Sequence, residues 1–262
     1  MNPSSNQIFS FARFGRLFGR HTAEHLPAYL MTAAVGAGGM LVVLGFLTYL
    51  QGSAPSIVGQ QVFFTLFLLA GCTIFTSTVF AQFGDKRQAS VALTLPASHL
   101  EKFLVAWTYS LPVFLLAFIP LFYLADAAVV YAGVAPGQVP ELLNLVAARQ
   151  DMAGTLAMLT ALHAAWLWGA IRFENKHFIR TGFAVLLLLG GLSVVNFQVL
   201  KQVVGPELLA AIPFTSLRFT ESKQLYTLAL PDAQGHWLAL VPLVLAGLLW
   251  VAAYFRLTEK QL

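Results

Sequence analysis

Six apolar runs, at 28–50, 59–81, 103–125, 153–171, 182–200 and 237–255, dominate the chain. Each is close to the roughly 20 residues that a helix needs to cross about 30 Å of hydrocarbon. Within that layer a backbone has no water to bond to, so only helices and closed barrels can span it. The runs are too long for barrel strands and lack their strict alternation, which predicts helices. The least regular is 153–171, where His163 is the one ionisable side chain between Met152 and Ile171. Composition agrees: only 10% of the 262 residues are charged, against about 25% in a soluble domain. The expected fold is all-α and polytopic, one transmembrane domain over 1–262, and the remaining segments are too short for a large extramembrane catalytic domain.

The basic residues predict a direction. With the N-terminus inside, Arg13, Arg16, Arg20, Lys86, Arg87, Lys102, Arg172, Lys176, Arg180, Arg256 and Lys260 lie on the cytoplasmic side. Arg149, Lys201, Arg218 and Lys223 lie outside, eleven against four of the 15 Lys and Arg. The positive-inside rule therefore favours N-in and C-in. The net charge of +4 fits an anionic lipid surface, and no nucleic-acid-binding motif accompanies it. Arg13, Arg16 and Arg20 also interrupt the early phenylalanines, so no signal-peptide core is expected there.

Ahead of the first span, Phe11, Phe14 and Phe18 repeat at helical spacing, and Arg13, Arg16 and Arg20 repeat in the same way. The two stripes are about 160° apart, the pattern of an amphipathic helix lying in the interface over 8–20. Between spans two and three, 83–102 forms a short cytoplasmic excursion. Asp85 can cap a helix whose third residue is Gln88, Pro96 should end it, and Ser98 with Glu101 is a capping-box pattern opening span three. A loop helix fixed at both ends can be an ordinary connector or can carry force from a cytosolic partner. The loop 172–181 carries Arg172, Glu174, Lys176 and Arg180. The semi-apolar outer segment 201–236 contains LLAAI and LYTLAL, punctuated by Pro206, Pro213 and Pro231. Neither run can span alone, which predicts re-entrant or interfacial helices. A further surface helix is expected near 141–150.

Catalytic signals are sparse. His21, Glu24 and His25 match H-x-x-E-H, but a zinc site needs a third ligand and an open, wet position, whereas Pro27 and the bilayer follow at once; polar packing is the expected role. His163 invites a proton-relay role, yet with no carboxylate at its depth it is expected to bond to backbone or hydroxyl groups. Asp126 falls at a membrane edge, where water can solvate it. The single cysteine, Cys72, lies in an apolar run and reads as a core residue. Gly36-Ala-Gly-Gly39 lacks the Lys and Ser/Thr of a phosphate loop. Pro112, Pro120 and Pro242 can kink their spans.

Three stretches, Leu95-Pro-Ala-Ser-His-Leu-Glu-Lys-Phe103, Arg172-Phe-Glu-Asn-Lys-His-Phe-Ile-Arg-Thr181 and Ala253-Tyr-Phe-Arg-Leu-Thr-Glu-Lys-Gln261, resemble six-span permeases of Bacteroidetes-type bacteria similar to the ABC-2 class of ABC transporter permeases. That resemblance covers nearly the whole chain in order and topology and marks no catalytic residue. It implies a half-transporter in the bacterial cytoplasmic membrane, not itself an enzyme, that pairs with a second permease copy and with separate ATP-binding subunits. ATP and magnesium would be held by those partners and no cofactor by this chain. It further implies ATPase coupling through Asp85, Lys86, Arg87, Gln88, Ser98, Glu101 and Lys102, with Arg172, Glu174, Lys176 and Arg180 as a second cytoplasmic contact. Export is carried by the resemblance alone. The alternative is a non-transporting membrane scaffold whose basic inner face recruits a larger complex.

Overall fold

The computed structural model describes residues 9–84, 97–134, 137, 139–147, 149–205, 208–212, 216–221, 224–229 and 232–259. In chain order the elements are α1 (Phe11–Gln51), α2 (Ile57–Gly84), α3 (His99–Thr108), a π-helical turn (Tyr109–Val113), α4 (Phe114–Gly133), α5 (Arg149–Arg172), α6 (His177–Val204), strands β1 (Leu208–Ile212), β2 (Ser216–Glu221) and β3 (Gln224–Ala229), and α7 (Asp232–Thr258). Counting α3, the π turn and α4 as one rod, six helices among the described residues are long and apolar enough to cross a membrane. The fold is that of a helical, multi-pass membrane protein.

At its centre α5 packs against α7 and α2, with α6 on a further side, while α1 runs along α4 and α3. Apolar side chains fill two core regions. Near the end carrying the N-terminal turns of α1, the ends of α2, α3, α5 and α7 meet through Phe80, Phe83, Phe103, Ile171 and Leu257. Toward the other end Phe64, Leu68, Cys72, Phe118, Phe122 and Leu159 interlock. Cys72 is a core residue, as its apolar setting predicts. The buried side of α4, Phe118, Phe122, Ala125, Val129 and Val130, recurs at three- and four-residue spacing. Phe64 meets the Phe122 ring edge-on at 5.0 Å, a favoured geometry for aromatic pairs.

Two close approaches depend on glycine. A Cβ on Gly133 would stand 2.6 Å from Thr48 Cγ2, and one on Gly169 would stand 1.8 Å from Thr181 Oγ1. Without side chains at those positions α4 nears α1 and α5 nears α6, the usual service of small residues between membrane helices.

Four expectations are corrected. The helix expected over 8–20 is not a separate one: from Phe11 it continues into the first span as a single 41-residue helix through Pro27. Such a rod is about 60 Å long, twice the hydrocarbon thickness. Proline removes one backbone bond, but the turns on either side are tied together, since His21 Nε2 and Tyr29 Oη are 2.7 Å apart and both rings pack on Tyr109. The apolar stripe of the first turns also faces the bundle, with Phe14, Leu17 and Phe18 packed against its core.

In the segment 201–236, LLAAI and residues 225–229 of LYTLAL contribute to an antiparallel sheet of order β1-β2-β3 and not to re-entrant or interfacial helices. Strand length and the alternation Leu217, Phe219 against Arg218, Thr220 suit a pleated ribbon better than a helix. Phe219 stacks on its cross-strand neighbour Tyr226 at 5.6 Å. The surface helix expected near 141–150 is also absent from 141–147, which are irregular and turn residues. Here the buried Gln60 amide replaces helical bonds: it donates to the Glu141 carbonyl at 2.8 Å and accepts from Leu143 N at 2.7 Å. Tyr123 Oη donates to the Leu143 carbonyl at 2.7 Å.

Asp126 is the fourth. It is fully buried on the inward side of α4, and neither carboxyl oxygen has a hydrogen-bond partner among the described residues. The helix face, and not the depth along it, decides the burial of this residue.

Candidate functional site

Besides the Gln60 and His21–Tyr29 contacts, polar side chains among the described residues gather at two further places inside the bundle. The first is the start of α3. Ser98 Oγ accepts from Glu101 N at 3.1 Å, and Glu101 Oε2 accepts from Ser98 N at 2.9 Å, completing the capping box that the sequence predicts. The same carboxylate reaches a second element: Oε1 accepts from Ser10 N at 2.7 Å, from Arg13 Nε at 3.1 Å and from Arg13 Nη2 at 3.1 Å. Glu101 is fully buried. A buried carboxylate is tolerated when paired and hydrogen-bonded in this way. The start of α1 and the start of α3 are therefore one joint, with Lys102 buried next to it.

Of the other candidate residues, Asp85, Lys86, Arg87 and Gln88 lie outside the described residues, as does the helix expected over 85–95. Arg16 donates to the Ala12 carbonyl at 3.2 Å and Arg20 pairs with Glu24 at 2.6 Å, both on the exposed side of α1. Phe11 is exposed, whereas Phe14 and Phe18 pack inward. Arg172, Glu174, Lys176 and Arg180 are exposed around the tight link from α5 to α6. There Lys176 adopts φ 51° and Arg180 lies 6.0 Å over the Phe173 ring. The structure thus joins Arg13, Ser98 and Glu101 and leaves Arg16, Arg20 and the 172–180 group on the surface.

The second place is built around His163 of α5, which is fully buried. Trp250 of α7 points its indole Nε1 at His163 Nδ1, 3.1 Å away, while His163 Nε2 is 2.9 Å from Ser110 Oγ in the π turn. An indole N–H can only donate, so Nδ1 accepts and the proton of the neutral ring sits on Nε2. Nε2–H then donates to Ser110 Oγ, whose own proton goes to the Trp107 carbonyl at 3.2 Å. Every polar atom of this chain is used, and it ends on backbone. The hydroxyl partner expected for His163 is present. Trp107 completes the setting edge-on to both His163 and Trp250.

The π turn explains why Ser110 is available. Pro112 has no N–H and its ring crowds the carbonyl four residues earlier in a straight α-helix. Here the helix widens, and the Phe114 N–H reaches back five residues to the Tyr109 carbonyl. Next to Ser110, the Tyr109 hydroxyl bonds Thr22 of α1. The sequence signals Pro112 and His163, but nothing in it pairs either with Ser110 or Trp250.

H-x-x-E-H does not converge on a common point. The His21 and His25 rings stack at 4.3 Å, His25 Nδ1 lies 3.1 Å from the His21 carbonyl, and Glu24 turns to Arg20. Among the described residues no group of three or more His, Cys, Asp or Glu side chains could hold a metal ion.

The fold and these two polar centres define a polytopic helical membrane protein with buried interhelical joints. No protein-family model matches the chain, and comparison with curated proteins and with solved structures likewise yields no significant match.

Proposed function

We propose that the chain is the membrane-spanning permease subunit of an ATP-driven exporter of the ABC-2 class in a bacterial cytoplasmic membrane. ATP and magnesium belong to a separate ATP-binding subunit, and a second permease copy completes the translocating unit. The observation that best supports this reading is the Glu101 joint. A load applied to the segment before Ser98 reaches α3 directly and α1 through Arg13 and Ser10, so two spanning rods respond together. A mere connector needs no such buried charged tie, which is costly unless fully paired.

Charge reversal of Lys86 and Arg87 tests the reading. Coupling through 83–102 predicts that K86E/R87E protein still inserts and folds but loses its co-purifying ATP-binding subunit. Unchanged recovery of that subunit, with unchanged transport, would contradict coupling through this segment. Finding no such subunit with the unaltered protein would favour the scaffold.

A further inference from the structure

The π turn interrupts an otherwise continuous rod running from His99 to Gly133, nearer to the Glu101 joint than to the rod's far end. Its first two residues are each held by a different neighbour: Tyr109 by Thr22 of α1, and Ser110 by His163 of α5, which Trp250 of α7 in turn fixes. Three elements thus converge on one turn whose backbone pattern is the less common one. Single π turns within α-helices cost helical regularity and concentrate at working sites. Both Ser110 and His163 are fully buried, so water does not compete for their bond.

We infer that Tyr109–Val113 is a hinge between α3 and α4, and that His163 is the positioning residue that holds it in the π register through Ser110. Two forces act on the turn. Pro112 opposes a straight α-helix, and the His163–Ser110 bond selects one of the remaining arrangements. Breaking that bond frees the extra residue of the turn. Passage to an α register advances the rod by one residue, about 1.5 Å along the axis and 100° around it. Motion at the start of α3 and the packing of α4 are then linked through one side-chain bond. This inference goes beyond the permease reading and does not rest on it.

The test uses the full chain in lipid nanodiscs, with buried Cys72 replaced (C72A) and spin labels at A97C, before α3, and L124C, exposed on α4. Pulsed dipolar spectroscopy should give one narrow distance distribution for this background. His163→Leu should broaden or split it, and Ser110→Ala, which removes the same bond while leaving a smaller void, should do so too if H163L folds poorly. Pro112→Ala alone should keep the original distance because His163 still holds the turn. H163L/P112A, with nothing opposing the α register, should narrow again at a different distance. Two results would overturn the inference: an unchanged distribution in both H163L and S110A, or a double variant as broad as H163L, which would make His163 packing glue. Neither depends on whether an ATP-binding subunit exists.

Discussion

At the scale of single residues, the His163 chain predicts a thermodynamic cycle. Ser110→Ala removes one buried hydrogen bond and should cost about 1 kcal/mol. His163→Ala strands the Trp250 indole and opens a void, and should cost about 3 kcal/mol. The double variant should cost little more than His163→Ala, because both changes remove the same bond; unfolding in detergent titrated with SDS measures all three. Strict additivity would show that Ser110 and His163 are not coupled. Asp126 predicts the opposite sign. With both oxygens buried and without a hydrogen-bond partner among the described residues, Asp126→Leu should stabilise the protein by about 1–3 kcal/mol, the usual penalty for an unsatisfied buried polar group. A lower midpoint in the same titration would mean that the carboxyl has a partner worth keeping.

Legibility at this scale is uneven. The Ser98–Glu101 capping box is written in local spacing, so it is visible in the sequence. Its extension to Arg13 is not, because helical periodicity places Arg13 with Arg16 and Arg20 on one polar stripe and says nothing about a partner 88 residues away. Asp126 misleads for a related reason. Depth along a span follows from counting residues, but which side of the helix faces inward depends on neighbours that the count does not supply.

Among elements, the six spans follow from length and hydropathy because the bilayer imposes the same demand on any sequence. The outer segment does not, since short apolar runs such as LLAAI and QLYTLA satisfy helix and strand alike until their partners are known. Pro27 marks a boundary in local rules, yet the His21–Tyr29–Tyr109 contacts carry α1 through it. The close approach of Gly169 to Thr181 makes a sharp prediction. Gly169→Ala should force α5 and α6 apart at a cost of about 2 kcal/mol, typical of overpacking. Thr181→Ala in the same chain removes Oγ1 and Cγ2 and should restore at least half of that loss. Absence of rescue would place the strain elsewhere.

Seen whole, the described residues place the start of α1, the end of α2 and the basic link from α5 to α6 at one end, and the small sheet beyond the opposite end of α6. The most apolar stretch of α6 has no residue buried within the chain, and that of α1 is largely exposed, so lipid or other subunits must cover them. The charge distribution predicts that single cysteines at Glu174 or Lys176 react with a membrane-impermeant thiol reagent only from the cytoplasmic side, and cysteines at Leu225 or Tyr226 only from outside. Reaction of both sets from the same side would break the six-span topology. The measurement closest to the central claim is purification of the tagged chain from its native membrane in mild detergent, followed by mass spectrometry of what remains bound. The permease account predicts an ATP-binding subunit with a Walker A motif at equal copy number. An intact membrane complex without one would contradict it and leave the scaffold as the better description.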